Sequence, residues 1–144
     1  MIIDALSLFS DAQALTATAD STNVVDLGAA PTTRNLGVGD PVYLVVHVPT
    51  ALASSGNAAT LTIRLASDST ANLDTSQTDH IVSEAIAEAD LVAGYSRVWA
   101  LPHGNYERYL GIEYTVGTEN FTSGAISAFL TRDPQAWAAY PNAI

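Results

Sequence analysis

Apolar side chains recur at every second position in four separate stretches of this chain, and that period restricts the fold to β-structure more than anything else in it. The cleanest is 59–66, where Leu61, Ile63 and Leu65 alternate with Thr60, Thr62 and Arg64. Successive strand residues point to opposite faces, so this pattern buries one face and wets the other. In 42–48, Val42, Leu44, Val46 and Val48 share a face while Tyr43 and His47 take the other, with Pro41 and Pro49 as brackets. Leu110, Ile112, Tyr114 and Val116 repeat the pattern, as do Ile126, Ala128 and Leu130. The connection 117–124 between these last two carries a glycine at each end and predicts a hairpin. Further strands are expected at 22–27, 80–86 and 97–101, with an extended stretch near 13–19. The total is about seven or eight, by the same pattern reading.

Helical periodicity is scarce. The segment 84–94 suits a short helix ending at Gly94, or a strand followed by one helical turn. Residues 66–79 are rich in Ser, Thr, Asp and Asn, which predicts a long exposed loop. Half-wet alternating strands fit an all-β, antiparallel two-sheet sandwich, jelly-roll-like, with about eight strands. The immunoglobulin type is disfavoured, because its Cys, Trp and Cys hallmark is missing. The expected division is a single domain over 1–131 and a C-terminal tail over 132–144.

With 144 residues the chain is long enough for one ordinary core. It has no cysteine, so disulfides and thiolate chemistry contribute nothing. Ten Asp and five Glu face five Arg and no Lys, for a net charge of −10. Nucleic-acid affinity comes from clustered cations that displace counterions, so this balance excludes DNA and RNA as partners. No apolar run approaches the ~20 residues of a membrane-spanning helix, and the N-terminus lacks the basic and apolar regions of an export signal. A soluble compartment is expected, which makes the glycosylation sequon at Asn120 a chance match.

No constellation with a chemical signature emerges. His47, His80 and His103 stand apart, and the spacing of Asp68, Asp74 and Asp79 misses that of a calcium loop, leaving them as solvated carboxylates. There is no Gly-x-Ser-x-Gly elbow, and Gly37-Val-Gly39 enters a strand instead of opening a helix. The reading is therefore a non-enzymatic protein with no catalytic residue, no metal ligand and no cofactor.

Aromatic residues point instead to adhesion. The tail carries Trp137, Tyr140 and Ile144 without strand alternation, and such groups are costly to leave in water, so it must dock on its own domain or on a neighbouring subunit. In 95–109, Arg97, Arg108 and Glu107 are expected to form ion pairs beside Trp99 and Tyr106. Core packing suits Trp99, whereas Tyr106, in a turn, is placed for a partner. The predicted interface residues are Tyr106, Arg108, Arg132, Trp137, Tyr140 and Ile144. Exposed aromatics on a sandwich also suit sugar stacking, so a carbohydrate-binding module is the alternative.

Six stretches, in order along nearly the whole chain, carry a family likeness. They are Phe9-Ser-Asp-Ala-Gln-Ala-Leu-Thr-Ala-Thr-Ala19, Asn23-Val-Val-Asp-Leu-Gly28, Gly37-Val-Gly-Asp-Pro-Val-Tyr-Leu-Val-Val46, Ala89-Asp-Leu-Val-Ala-Gly-Tyr95, Arg108-Tyr-Leu-Gly-Ile-Glu-Tyr-Thr-Val-Gly117 and Phe121-Thr-Ser-Gly-Ala-Ile-Ser-Ala-Phe-Leu130. In these the chain resembles the capsid cement, or decoration, proteins of podovirus-type tailed bacteriophages. The resemblance implies a jelly-roll-like domain that self-associates and sits on the outer face of an assembled shell. There it bridges subunits of the major capsid protein, after a period in the host cytoplasm. A dimer is favoured over a trimer, because twofold association is commonest. The tail and the 66–79 loop are longer than the family leads one to expect.

Overall fold

The computed structural model describes residues 4–29, 39–73 and 76–137. Among these residues ten strands form two antiparallel sheets. In chain order they are β1 (Leu8–Ala14), β2 (Ala19–Asp20), β3 (Val25–Asp26), β4 (Tyr43–Ser54), β5 (Thr60–Asp68), β6 (Thr78–Val82), β7 (Ile86–Ala87), β8 (Ser96–Ala100), β9 (Tyr109–Gly117) and β10 (Phe121–Thr131). One sheet runs β1-β10-β4-β8; the other runs β2-β9-β5-β6, with β3 also on β9 and β7 also on β5. Merging the short pieces β2 with β3 and β6 with β7 leaves eight strand positions. Their order, first-eighth-third-sixth in one sheet and second-seventh-fourth-fifth in the other, is that of a jelly roll. The fold is the expected all-β sandwich.

The predicted inward residues fill the space between the sheets. Leu44, Val46 and Val48 of β4, Leu61, Ile63 and Leu65 of β5, Leu110, Ile112 and Tyr114 of β9 and Ile126 and Ala128 of β10 form one buried cluster. Each large aliphatic side chain there contributes about 1.5–3 kcal/mol relative to exposure. Tyr114 is fully buried, and its hydroxyl meets Ser10 Oγ at 2.9 Å, which satisfies the one polar atom the ring carries inward.

Three expectations are corrected. Pro49 does not end its strand: β4 runs on to Ser54, because its pairing with β10 shifts between His47 and Thr50. A bulge there leaves a residue without an amide tolerable. The segment 117–124 is not a hairpin, since β9 and β10 lie in different sheets and the connection 118–120 crosses the sandwich. Alternation could not distinguish the two, because a hairpin and a sheet-crossing arch both send alternate residues into the same core.

The third concerns 66–79, which is not simply an exposed loop. Strand β5 continues through Asp68, and Leu73 turns back to lie 1% exposed over the outer face of its sheet. It sits against Gly111, where a Cβ would stand 2.7 Å from Leu73 Cδ1; the cross-strand partner of Gly111 is the small residue Ala66. In 84–94 the second of the two readings holds, with β7 followed by a 3-10 turn at Glu88–Asp90.

Candidate interaction surface

Of the predicted contact residues, Tyr106, Arg108 and Arg132 lie at one end of the sandwich. Strand β8 leaves that end at Ala100 and β9 re-enters it at Tyr109, so Tyr106 and Arg108 sit on the connection; Thr131, the last residue of β10, pairs with Tyr43, the first of β4. Arg132 and the tail therefore depart from the same end. Asp133 Oδ1 accepts from the Gln135 amide at 3.1 Å and starts one helical turn, Pro134–Trp137. The side chain of Trp137, together with Tyr140 and Ile144, lies outside the described residues.

Tyr106 is corrected. It is only 3% exposed, stacks on His80 with ring centroids 4.0 Å apart, and its hydroxyl donates to the Pro102 carbonyl. Burial pushes its pKa up to about 12. An acceptor four residues back in the same turn lets the whole ring go inside, so Tyr106 plugs this end of the core instead of standing exposed in a turn. Behind it, Ser67 Oγ lies 2.7 Å from His80 Nε2 and accepts from the Glu107 amide at 3.0 Å. The pair has the spacing of a nucleophile and its base, yet Ser67 is fully buried. It links β5, β6 and the 101–108 connection. Burial holds His80 below the ordinary histidine range, against the opposing pull of Asp79 and Glu107.

Arg108 makes a two-pronged pair with Asp26, at 2.9 and 2.8 Å, and its guanidinium lies 4.8 Å from the Tyr109 ring. Arg132 pairs with Asp40. Arg97 stands 5.5 Å from the Trp99 ring, as the 95–109 pattern predicts, but its acid is Glu84. Glu107 accepts a hydrogen bond from Thr78 Oγ1 at 3.0 Å. Partners distant in sequence took the places expected of near neighbours. Three of the acids, Asp26, Asp40 and Glu84, carry no local sequence signal of these roles; Glu107 was expected to pair with an arginine and instead takes the Thr78 hydroxyl.

Two further carboxylates organise loops. Asp68 is fully buried, a correction to its reading as a solvated carboxylate. Burial would raise its pKa, but the amides of Thr70 and Ser76 and the Ser69 hydroxyl outweigh it and hold the group low. At the opposite end of the sandwich, Ser54 Oγ contacts both Glu88 and Glu119, and Glu119 also accepts from the amides of Gly56 and Ala58, at 3.0 and 2.9 Å. That cluster ties the β4–β5 turn, the 3-10 turn and the crossing 118–120 together.

Among the described residues the large apolar side chains left exposed are Leu6, Val82, Val92 and Val98, at 82, 53, 54 and 44%. Among the described residues no three His, Asp or Glu side chains are grouped to hold a metal ion, and no helix is long and apolar enough to cross a membrane.

In comparison with known families the chain matches Bbp16 over residues 9–130. The chain belongs to the Bbp16 family. No curated protein matches it. The Bbp16 match starts at the second residue of β1 and stops one residue short of the end of β10, so the family unit is the whole sandwich. Tyr106 and Arg108 fall inside it. Arg132, Trp137, Tyr140 and Ile144 fall outside, in the tail that leaves the same end as the Arg108–Asp26 pair.

Proposed function

We propose that this Bbp16-family protein is a structural virion component, a cement protein that binds the outer face of an assembled phage capsid and clamps neighbouring major capsid subunits against the pressure of packaged DNA. The observation that carries the reading is the match to the Bbp16 family, which follows the entire jelly roll from residue 9 to residue 130. The resemblance of the six stretches from Phe9 to Leu130 to phage cement proteins supports it. So does the use of charged side chains, which are committed to fastening loops at both ends of the sandwich.

In this proposal the contact end is the one that carries Arg108, Arg132 and the tail 132–144. Binding to the assembled form in preference to free subunits stabilises the shell by linkage, and many modest contacts add through multivalency. The protein acts without catalysis, cofactor or metal, and its partners are the major capsid protein and further copies of itself.

The test is co-sedimentation with purified mature shells, paired with DNA release on heating. Shells carrying the protein should retain DNA to a higher temperature than shells without it, and removal of residues 132–144 should weaken binding. Equal DNA retention with and without the protein refutes the proposal.

A further inference from the structure

The four sheet edges are not treated alike. An exposed strand edge is a template for pairing, and proteins blunt it with bulges, interruptions or short strands. Edge β1 has two register shifts and a positive φ of 46° at Ala12. The β2/β3 edge is two strands of two residues each. The β6/β7 edge carries a register shift opposite Leu65 and Ala66 and is broken at Ser83, which folds back to exchange bonds with Ile63. Only β8, among the described residues, is an edge of five residues paired in unbroken register.

Its free side follows from the ladder. The Leu101 amide donates to the Val42 carbonyl and the Val48 amide to the Tyr95 carbonyl, so these are the hydrogen-bonded pairs, and by alternation Leu44 with Trp99 and Val46 with Arg97 are too. The N–H and C=O groups of Ser96, Val98 and Ala100 therefore point away from β4. No hydrogen bond from another described residue reaches them there.

Val98 is the midpoint of β8. An antiparallel partner of the same sequence centred on it sets Val98 opposite Val98, and Ser96 opposite Ala100 on either side. Each is a pair of residues with outward-pointing groups, giving about six new backbone hydrogen bonds. The outer face continues the match. Leu8, Phe129, Val45 and Val98 lie in register across β1, β10, β4 and β8. Phe129 and Val45 are 2 and 0% exposed, and Val98, at 44%, is the open end of that row. A twofold axis at Val98 makes the row continuous through two molecules. The one charged residue of β8, Arg97, is already paired with Glu84.

We infer that edge β8 docks a second copy of this chain, joining two four-stranded sheets into one of eight about a twofold axis at Val98. The strand is short, so the paired surface falls below the roughly 800 Å² per partner of a standard interface. The dimer is accordingly weak in dilute solution and strengthens where copies are held close. This inference does not rest on the capsid reading, because it concerns the free protein.

The experiment is sedimentation equilibrium of the full chain at low salt, wild type against Val98→Lys, Val98→Glu and their equimolar mixture. Val98 is half-exposed, so both variants should keep the fold, verified by circular dichroism. Wild type should dimerise with rising concentration. Each variant alone should associate about tenfold more weakly, since like charges then face across the axis, and the mixture should regain association as a Lys–Glu heterodimer. A wild type monomeric up to about 1 mM, variants that dimerise as well as wild type, or a mixture no better than its parts would each overturn the inference.

Discussion

Replacing Gly124 with alanine should be among the most damaging single-methyl changes in this protein. Gly124 lies in β10 with φ +126°, between two register shifts against β4. A Cβ there would stand 2.6 Å from Leu52 Cα and 2.8 Å from the Ala51 carbonyl oxygen, both backbone atoms that no side-chain rotation can withdraw. The φ strain costs about 1–3 kcal/mol. Forcing two central strands apart costs about 1–3 kcal/mol more. Loss of glycine's freedom in the unfolded chain returns about 0.4–1 kcal/mol. The net is about 3 kcal/mol, or roughly 10 °C in Tm for a domain of this size. Gly94→Ala is the control: its φ is +92°, but nothing lies within 4 Å of the added atom, so only the strain remains and the loss should be about 1 kcal/mol. Urea unfolding followed by tryptophan fluorescence measures both. If Gly124→Ala loses no more than Gly94→Ala, the close approach of β10 to β4 is not what holds that glycine in place.

Two more predictions concern the polar interior and acid. Tyr114→Phe should cost about 1 kcal/mol, because Ser10 keeps its bond to Gln13 at 2.8 Å, whereas Ser10→Ala should cost more, about 2 kcal/mol, because it strands a buried phenol; chemical denaturation ranks the pair. The Ser54 hydroxyl and the Ala58 and Gly56 amides, outweighing burial, hold the Glu119 carboxyl below its ordinary 4.5, and Asp68 is likewise held below 3.8. A depressed folded pKa contributes stability in full above the unfolded value and loses it as pH falls through the folded one. Thermal stability should thus be flat just above about pH 5 with respect to these groups and decline below it, and Glu119→Gln should flatten that decline in a Tm series against pH.

Much of the fold was legible because the core writes itself as alternation: Leu61, Ile63 and Leu65, or Leu110, Ile112 and Tyr114, declare both strand and buried face. Pairing was not, because nothing local marks which sheet β10 joins after β9, and one three-residue link serves either a hairpin or a crossing. The bulge beyond His47 was hidden for a related reason, since Pro49 reads as a stop unless the partner strand is known. A small residue gave an unused clue to the outer face: Gly111, a gap in an otherwise bulky strand, is where Leu73 sits. The candidate surface was the least legible part. Arg108 and Arg132 reveal their positions only through Asp26 and Asp40, 82 and 92 residues away. Tyr106 turned inward because its hydroxyl found an acceptor in its own turn, and the sequence gives no sign of that geometry.

The place of β10, flanked on both sides by β1 and β4 with the tail running on from its end, has a mechanical consequence. Tension transmitted through the tail acts along this strand and must slide it past both neighbours at once, so the rungs of two ladders share the load instead of parting one by one. An edge strand pulled outward would unzip. A tether attached at β10 gives way only when many bonds fail together.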